Sequence, residues 1–207
     1  TLGRGTASLS MGSLVTASSC APSGDSSLKQ NVKEGEDGQF LFIGDDIAIA
    51  QTEYGKVQGY LLNHVYTFLG VPYGADTSGK NRFMPPQKPE PWTDVRPAVF
   101  YGNTAPQRME NRWPNNYGTF ADHWNYWDVS EDCLYLNVWT PGIADGKKRP
   151  VLVWLHGGGF TNGSGIEQDG YHGENISREG DIVFCSINHR LGPIGFSDLS
   201  GVGGEAY

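Results

Sequence analysis

Short apolar or alternating segments, separated by glycine and proline, run through most of the chain and predict a sheet-rich fold. Residues 47–51 and 56–60 flank the tripeptide Glu-Tyr-Gly and predict the two strands of a hairpin. Residues 65–70 predict a third strand, and residues 133–139, which end at a Thr-Pro-Gly turn, predict a fourth. The fold is therefore expected to begin with antiparallel strands.

Two later segments, residues 151–155 and 182–188, are continuous apolar runs rather than alternating ones. A run of this kind is typical of a strand that is buried on both faces. The glycine-rich crossover between them contains a short predicted helix near residues 176–179, whereas residues 72–106 are dense in proline and glycine and predict ordered coil. Together these features predict a buried central sheet.

The first part of the chain has a different character. Residues 14–20, LVTASSC, resemble the end of a bacterial lipoprotein signal, in which small residues precede a cysteine that is cleaved and lipidated. A plain disordered leader stays open as the alternative, because serine and glycine interrupt the apolar core. Residues 21–38 contain almost no large apolar side chain and predict a linker. We therefore expect residues 1–38 to be an export-signal remnant and linker, and residues 39–207 to be the folded part.

An export signal of this type implies an exported protein, periplasmic or at the cell surface, whose contact with a membrane is limited to a lipid on Cys20. The chain has 15 basic and 23 acidic residues, a formal charge of −8 and no Lys/Arg cluster, so nucleic acid is not an expected partner. Its longest apolar run is far shorter than the roughly 18 residues that a membrane-spanning helix needs.

Three cysteines cannot form a disulfide framework, and Cys185 is expected to be a small buried hydrophobe.

The strongest chemical signal is the loop His156-Gly157-Gly158-Gly159-Phe160, which follows the predicted strand at 151–155. Ester hydrolysis passes through a tetrahedral intermediate with a negative oxygen, which preorganised backbone N–H groups stabilise. Glycine allows the close backbone approach and the unusual dihedral angles that such a loop needs. The HGGG pattern is the oxyanion loop of lipases and esterases. A flexible glycine turn is the alternative; phosphate binding fails on spacing, and no cofactor or metal is predicted.

Four further segments, in order along the chain, resemble the type-B carboxylesterase and cholinesterase family. They are GKVQG (55–59), FLGVPY (68–73) with the Arg82-Phe83, Pro85-Pro86 and Trp92 positions that follow it, EDCLYLNV (131–138) and NHRLGPIGF (188–196). The third segment matches the family's diagnostic signature almost letter for letter. The resemblance covers about residues 48–196 and implies an α/β-hydrolase fold. The expected fold class is therefore α/β, with small antiparallel N-terminal strands leading into a mostly parallel central sheet.

The resemblance also implies roles for the residues of the glycine loop. The N–H groups of Gly158 and Gly159 would be two oxyanion donors, and His156 and Gly157 would support the loop. A third donor would follow a nucleophilic serine that belongs to a serine–histidine–acid triad. The family further implies a buried ion pair between the side chains of Arg82 and Glu131, for which we expect a structural role.

Two departures from the family pattern affect other expectations. Animal members close the loop before the signature cysteine with a disulfide, but no cysteine lies between residues 101 and 132 here. Cys133 is therefore expected to be a free buried thiol. His189 stands where the family usually has tyrosine.

Candidate substrate contacts are aromatic. Phe160 adjoins the glycine loop, and Trp113 and Trp124 belong to a ring-rich stretch, residues 113–127, that would line the mouth of a substrate gorge. The alternative is that these rings cover the core beneath a long loop.

No Gly-x-Ser-x-Gly elbow occurs in the sequence, and Ser164, within Gly163-Ser164-Gly165, has the wrong pattern for a nucleophile. The triad is therefore expected beyond Tyr207, in the remainder of the same protein or in a second chain, and the 207 residues alone are expected to be inactive. Two functions stay open: a serine hydrolase that cleaves small-molecule carboxylic esters through an acyl-enzyme, or a non-catalytic cholinesterase-like binding or adhesion domain. The intact glycine loop favours the enzyme, since a binding domain has no use for it.

Overall fold

The computed structural model of the chain describes residues 40–108 and 128–203. Within these ranges the strands are β1 Leu41–Phe42, β2 Ile49–Gln51, β3 Lys56–Gln58, β4 Tyr60–Leu62, β5 Val65–Pro72, β6 Arg96–Pro97, β7 Tyr135–Thr140, β8 Val151–Trp154 and β9 Val183–Ile187. The helices are α1 Glu174–Gly180, α2 Gly192–Phe196 and α3 Ser200–Gly203, with 3-10 turns at Gly79–Asn81 and Asp169–Tyr171. The predicted leader and linker with Cys20, and the aromatic stretch with Trp113 and Trp124, lie outside the described residues.

The strands form two sheets. The larger has the order β1-β4-β5-β7-β9-β8, and the smaller has the order β2-β3-β6. In the larger sheet every described pair is antiparallel except β8 and β9, which run parallel. The predicted antiparallel start is confirmed, and β8 and β9 form the one parallel pair that this sheet contains among the described strands. No helix in the two described ranges has the length and apolar character that crossing a membrane requires.

The hairpin predicted at residues 47–51 and 56–60 forms as β2 and β3, but the second predicted strand is divided. Residues 56–58 pair with β2 in the small sheet, whereas Tyr60–Leu62 pairs with β5 in the large one. Gly59 lies at the division, donates its N–H to the Ala48 carbonyl oxygen, and packs so closely on Thr67 that a Cβ would overlap the Thr67 carbonyl oxygen. Glycine therefore lets the chain pass from one sheet to the other.

The centre of the large sheet contains a buried polar cluster around Asn137, a member of the 131–138 signature. The β5–β7 register shifts between Phe68 and Val71, and within this bulge Gly70 has φ +65°. The Gly70 N–H, which the bulge removes from the ladder, donates to Asn137 Oδ1 at 3.0 Å, and Asn137 Nδ2 donates to Ser186 Oγ at 3.1 Å. Both polar side chains are thereby paired in an interior where unpaired groups would be costly.

The prediction that residues 151–155 are buried on both faces is wrong for the described structure. β8 is the edge strand and pairs with β9; its side chains are between 37% and 55% exposed, and Leu155 is 65% exposed. Burial depends on the layers that pack against a strand, and among the described elements β9 is the main neighbour of β8. The prediction for residues 182–188 is confirmed at the centre of β9, where Phe184, Cys185 and Ser186 are buried.

The crossover from β8 to β9 contains the predicted helix. This helix is α1, and it is longer than the predicted residues 176–179. Ser177 on α1 is fully buried and donates from Oγ to the Trp139 carbonyl oxygen at 3.0 Å, which ties the helix to the core. The helix ends at Asp181 in the left-handed conformation, φ +46°. The Asp181 carboxylate accepts a hydrogen bond from Arg149 at 2.7 Å, and Arg149 also binds Asp145, so the residues before β8 and before β9 are held together.

Candidate functional site

The glycine loop lies at the carboxyl end of the parallel pair β8 and β9. Trp154 at the end of β8 is opposite Ser186 in the register, so the segments that follow the two strands start side by side. One segment is the loop 156–160, and the other is the segment 188–192 from the last family-like motif. The topology therefore brings two sequence-distant motifs together at one edge of the sheet.

Two consecutive peptide groups of the loop are fixed through their carbonyl oxygens. The Gly157 carbonyl oxygen accepts a hydrogen bond from His156 Nδ1 at 2.8 Å. The Gly158 carbonyl oxygen accepts from the N–H groups of Thr161 and Asn162, both at 3.2 Å, and from Thr161 Oγ1 at 3.0 Å. In a planar trans peptide the N–H points opposite to the C=O. Holding these two carbonyls therefore sets the directions of the next two N–H groups, those of Gly158 and Gly159.

Those two N–H groups are available to a ligand. Within the described part of the chain neither donates a hydrogen bond, and Gly158 and Gly159 are both exposed. Two uncommitted donors in adjacent, restrained peptides form a site that an anionic oxygen can occupy without reorganisation of the backbone.

The loop depends on left-handed backbone conformations at three consecutive residues. Gly158 has φ +121°, Gly159 has φ +61° and Phe160 has φ +64°. A Cβ on Gly158 would also overlap the Asn162 carbonyl oxygen. The sequence pattern predicted the need for glycine, but it did not predict the strained Phe160, which is held by a hydrogen bond from the Gly192 N–H to its carbonyl oxygen at 2.7 Å.

Gln107 binds Gly163, three residues beyond the loop, and was missed by sequence reasoning. Its Oε1 accepts from the Gly163 N–H at 2.8 Å, and its Nε2 donates to the Gly163 carbonyl oxygen at 2.9 Å. Gly163 in turn packs on the loop, since a Cβ there would overlap the Gly157 carbonyl oxygen and crowd His156 Nδ1. Gln107 lies in coil, 56 residues away in sequence, and no local pattern signals this contact.

Asn188 is the second organising amide of the site. It is 3% exposed; its Oδ1 accepts from the Gly165 N–H at 2.8 Å, and its Nδ2 donates to the Asn103 carbonyl oxygen at 3.0 Å. Its own carbonyl oxygen accepts from the Tyr73 hydroxyl at 2.8 Å. Burial raises the pKa of Tyr73 well above its ordinary value, so this hydroxyl keeps its proton and remains a donor. Asn188 thus connects three segments, two through its side chain and one through its backbone carbonyl.

A cavity of about 590 Å³ adjoins the glycines. Its apolar lining includes Leu134, Phe160, Ile187, Leu191 and Phe196, and its polar lining includes His189 and Arg190. Phe160 therefore lies at the loop cavity, as expected for a substrate contact, although its role stays a prediction.

Ser164 is 1% exposed, does not line this cavity, and accepts a hydrogen bond from the Ile166 N–H on Oγ at 3.3 Å.

Three expectations about the surroundings can be compared with the structure. Cys133 and Cys185 are free and buried, as predicted, and burial raises the pKa of each thiol to about 12. Arg82 Nε binds Glu131 Oε2 at 2.8 Å, but the expected burial of this pair is wrong. The Arg82 side chain is 49% exposed, because it projects from the coil that follows a surface 3-10 turn, so water screens the pair.

Comparison with solved structures defines the class of protein. An esterase from anaerobic Clostridium hathewayi, described as able to hydrolyze aliphatic aromatic polyesters, matches with a TM-score of 0.71 and 38% identity over 82% of this chain and 32% of that chain. A carboxylesterase from Geobacillus stearothermophilus matches with a TM-score of 0.65 and 38% identity, over 77% of this chain and 30% of that chain. The fold is that of the N-terminal part of an α/β-hydrolase.

The chain belongs to the carboxylesterase family, whose model matches residues 46–203. Phenmedipham hydrolase from Pseudarthrobacter oxydans is 45% identical over 157 residues, which are 76% of this chain and 30% of that protein. Para-nitrobenzyl esterase from Bacillus subtilis is 40% identical over 162 residues, 77% of this chain and 30% of that protein. Acetylcholinesterase from Electrophorus electricus is 37% identical over 176 residues, 78% of this chain and 27% of that protein. The chain thus spans under a third of the length of these relatives.

Proposed function

We propose that this chain supplies two oxyanion-hole donors, the N–H groups of Gly158 and Gly159, to a serine hydrolase that cleaves small-molecule carboxylic esters. The nucleophile, its acid and base partners and the third donor belong to sequence beyond Tyr207. Two facts support this division: the sequence contains no Gly-x-Ser-x-Gly elbow, and the chain spans under a third of the relatives it matches.

The chemistry explains why such donors matter. The serine Oγ forms a bond to the ester carbonyl carbon while the base accepts the serine proton, and the carbonyl oxygen becomes negative. The bond to the alcohol then breaks, and the alcohol leaves with that proton. Water attacks the resulting acyl-enzyme in the same way and releases the acid. The negative oxygen forms twice in each cycle, and preorganised donors stabilise it each time.

The observation that carries the proposal is a pair of exposed N–H groups that donate to no described residue and whose peptide planes are each fixed through a carbonyl oxygen. A binding or adhesion domain would gain nothing from holding Gly158, Gly159 and Phe160 in left-handed conformations. The names of two relatives, para-nitrobenzyl esterase and phenmedipham hydrolase, further favour hydrolysis over binding alone.

The test uses the full-length protein, expressed from the complete reading frame that encodes this chain. Gly158→Ala adds a methyl group that overlaps the Asn162 carbonyl oxygen and must displace the loop. Loss of one oxyanion donor typically costs about 100-fold in kcat. We expect kcat for p-nitrophenyl acetate to fall by about that factor, measured per active site after titration with an organophosphate that reacts with the serine.

Gly59→Ala is the matched control, because its methyl group would overlap a carbonyl oxygen too, that of Thr67, but outside the loop. It should lower stability while leaving kcat per titrated site unchanged. The proposal is overturned if Gly158→Ala retains the wild-type kcat, or if the elbow beyond Tyr207 carries glycine or alanine in place of serine.

A further inference from the structure

The ring of His189 stacks on the ring of His156, with the ring centroids 4.6 Å apart and the planes 3° from parallel. We propose that His189 is a positioning residue for the glycine loop: it holds His156, which holds the Gly157 carbonyl, which sets the direction of the Gly158 N–H. This inference rests on the proposed function, because it concerns how well that N–H is aimed at the negative oxygen.

The first step is the orientation of the two imidazoles. His156 Nδ1 lies 2.8 Å from the Gly157 carbonyl oxygen, and His189 Nδ1 lies 2.8 Å from the Arg190 carbonyl oxygen. A carbonyl oxygen can only accept, so Nδ1 carries a proton in both rings. Each ring is therefore fixed by a hydrogen bond to the backbone of the next residue, and the stack restrains rotation of His156 away from its carbonyl.

The second step is the coupling between His156 and the donor. The Gly157 carbonyl and the Gly158 N–H belong to the same planar peptide group. If the His156 ring turns, the hydrogen bond to Gly157 is lost, and this peptide can rotate about the flexible glycine dihedrals. Gly158 has no side chain that would restore the direction. The precision of the donor thus depends on a ring that is itself held by His189.

The third step concerns the other end of the loop, which contacts the segment 189–196 as well. The rings of Phe196 and His189 are nearly perpendicular with their centroids 5.8 Å apart, and the Phe196 and Phe160 centroids are 4.7 Å apart. The Gly192 N–H also donates to the Phe160 carbonyl oxygen at 2.7 Å. Residues 189–196 therefore contact the loop before its first glycine and after its last one. His189 lies at the centre of this arrangement, in contact with both His156 and Phe196.

The experiment again uses the full-length protein with active sites counted by organophosphate titration. We expect His189→Ala to lower kcat per titrated site by about tenfold while KM changes less than twofold, since the N–H acts in the transition state rather than in substrate binding. His189→Phe, which restores a flat stacking ring, should recover most of the lost kcat. A purely structural role would reduce the number of titrated sites and leave kcat per site unchanged.

His172→Ala is the matched control. His172 also contacts an aromatic ring, Trp139, at a centroid distance of 5.1 Å, but it does not line the loop cavity. It should leave kcat per site unchanged. An unchanged kcat in His189→Ala, or equal losses in His189→Ala and His189→Phe, would overturn the inference while Gly158→Ala still lowers kcat. If the wild-type protein neither turns over esters nor reacts with the organophosphate, the proposed function itself fails, and the inference fails with it.

Discussion

Replacing Asn188 with alanine tests whether one buried amide organises the site. Asn188 Oδ1 accepts from the Gly165 N–H at 2.8 Å, and Nδ2 donates to the Asn103 carbonyl oxygen at 3.0 Å. With Asn188 only 3% exposed, water cannot readily replace either contact. A buried group left without its partner costs about 1–3 kcal/mol. Two such groups lose their partner in this variant, which should therefore lose about 2–6 kcal/mol of unfolding free energy.

The assay is urea unfolding of the full-length protein, followed by tryptophan fluorescence. Asn81→Ala is the control, because the Asn81 amide donates to the Asp76 carbonyl oxygen at 2.8 Å in a solvent-exposed turn, where its loss should cost under about 0.5 kcal/mol. Asn188→Asp keeps the acceptor for Gly165 but removes the donor to Asn103, so it should also be destabilised at neutral pH. A loss below about 1 kcal/mol in Asn188→Ala would refute the reasoning, because both backbone groups would then have found other partners.

Two further predictions concern the chain as a whole and its charged surface. The isolated 207 residues should hydrolyse no p-nitrophenyl acetate and should self-associate in gel filtration, since β8 exposes apolar side chains along a sheet edge; serine-dependent turnover or a stable monomer would contradict this. The hydrogen bond from Arg149 lowers the pKa of Asp145 from 3.8 to about 2. A depressed carboxyl pKa stabilises the fold above about pH 4 and loses that effect as the pH falls towards 2. The stability difference between wild type and Asp145→Asn should therefore be present at neutral pH and disappear in acid; a difference independent of pH would exclude this pair as its source.

The sequence predicts those parts of the fold that depend on local patterns. The hairpin β2–β3, the strands β5, β7 and β9 and the helix α1 all lie where periodicity and turn residues placed them. The division of residues 56–60 between two sheets was not predicted, because it depends on the contact of Gly59 with Thr67 rather than on the pattern within the strand. Local signals define elements, whereas their assignment to a sheet requires knowledge of distant neighbours.

The candidate site, like the fold, could be predicted only in part from the sequence. The need for glycine at position 158 could be predicted from the five-residue motif, because φ there is +121° and glycine adopts such dihedral angles freely. The restraints around the loop were not predicted, since they come from other segments: His189 stacks on His156, and Gln107 and Asn188 bind Gly163 and Gly165, which follow the loop. A motif identifies which backbone groups are available for catalysis, but the contacts that aim those groups come from the tertiary structure.

The apolar edge strand shows most clearly what a pattern can and cannot state. Residues 151–155 have the composition of a strand with both faces covered, yet Val151 is 55% exposed and Leu155 is 65% exposed among the described residues. The apolar sequence indicates the environment to which the side chains are suited, whereas their exposed fraction depends on what packs against them. The same distinction applies to the glycine loop that follows β8, because in the proposed function its two N–H groups are suited to a negative oxygen that forms only when a nucleophile attacks an ester beside them. Turnover measured in the full-length protein therefore tests whether the partner to which these N–H groups are suited forms beside them.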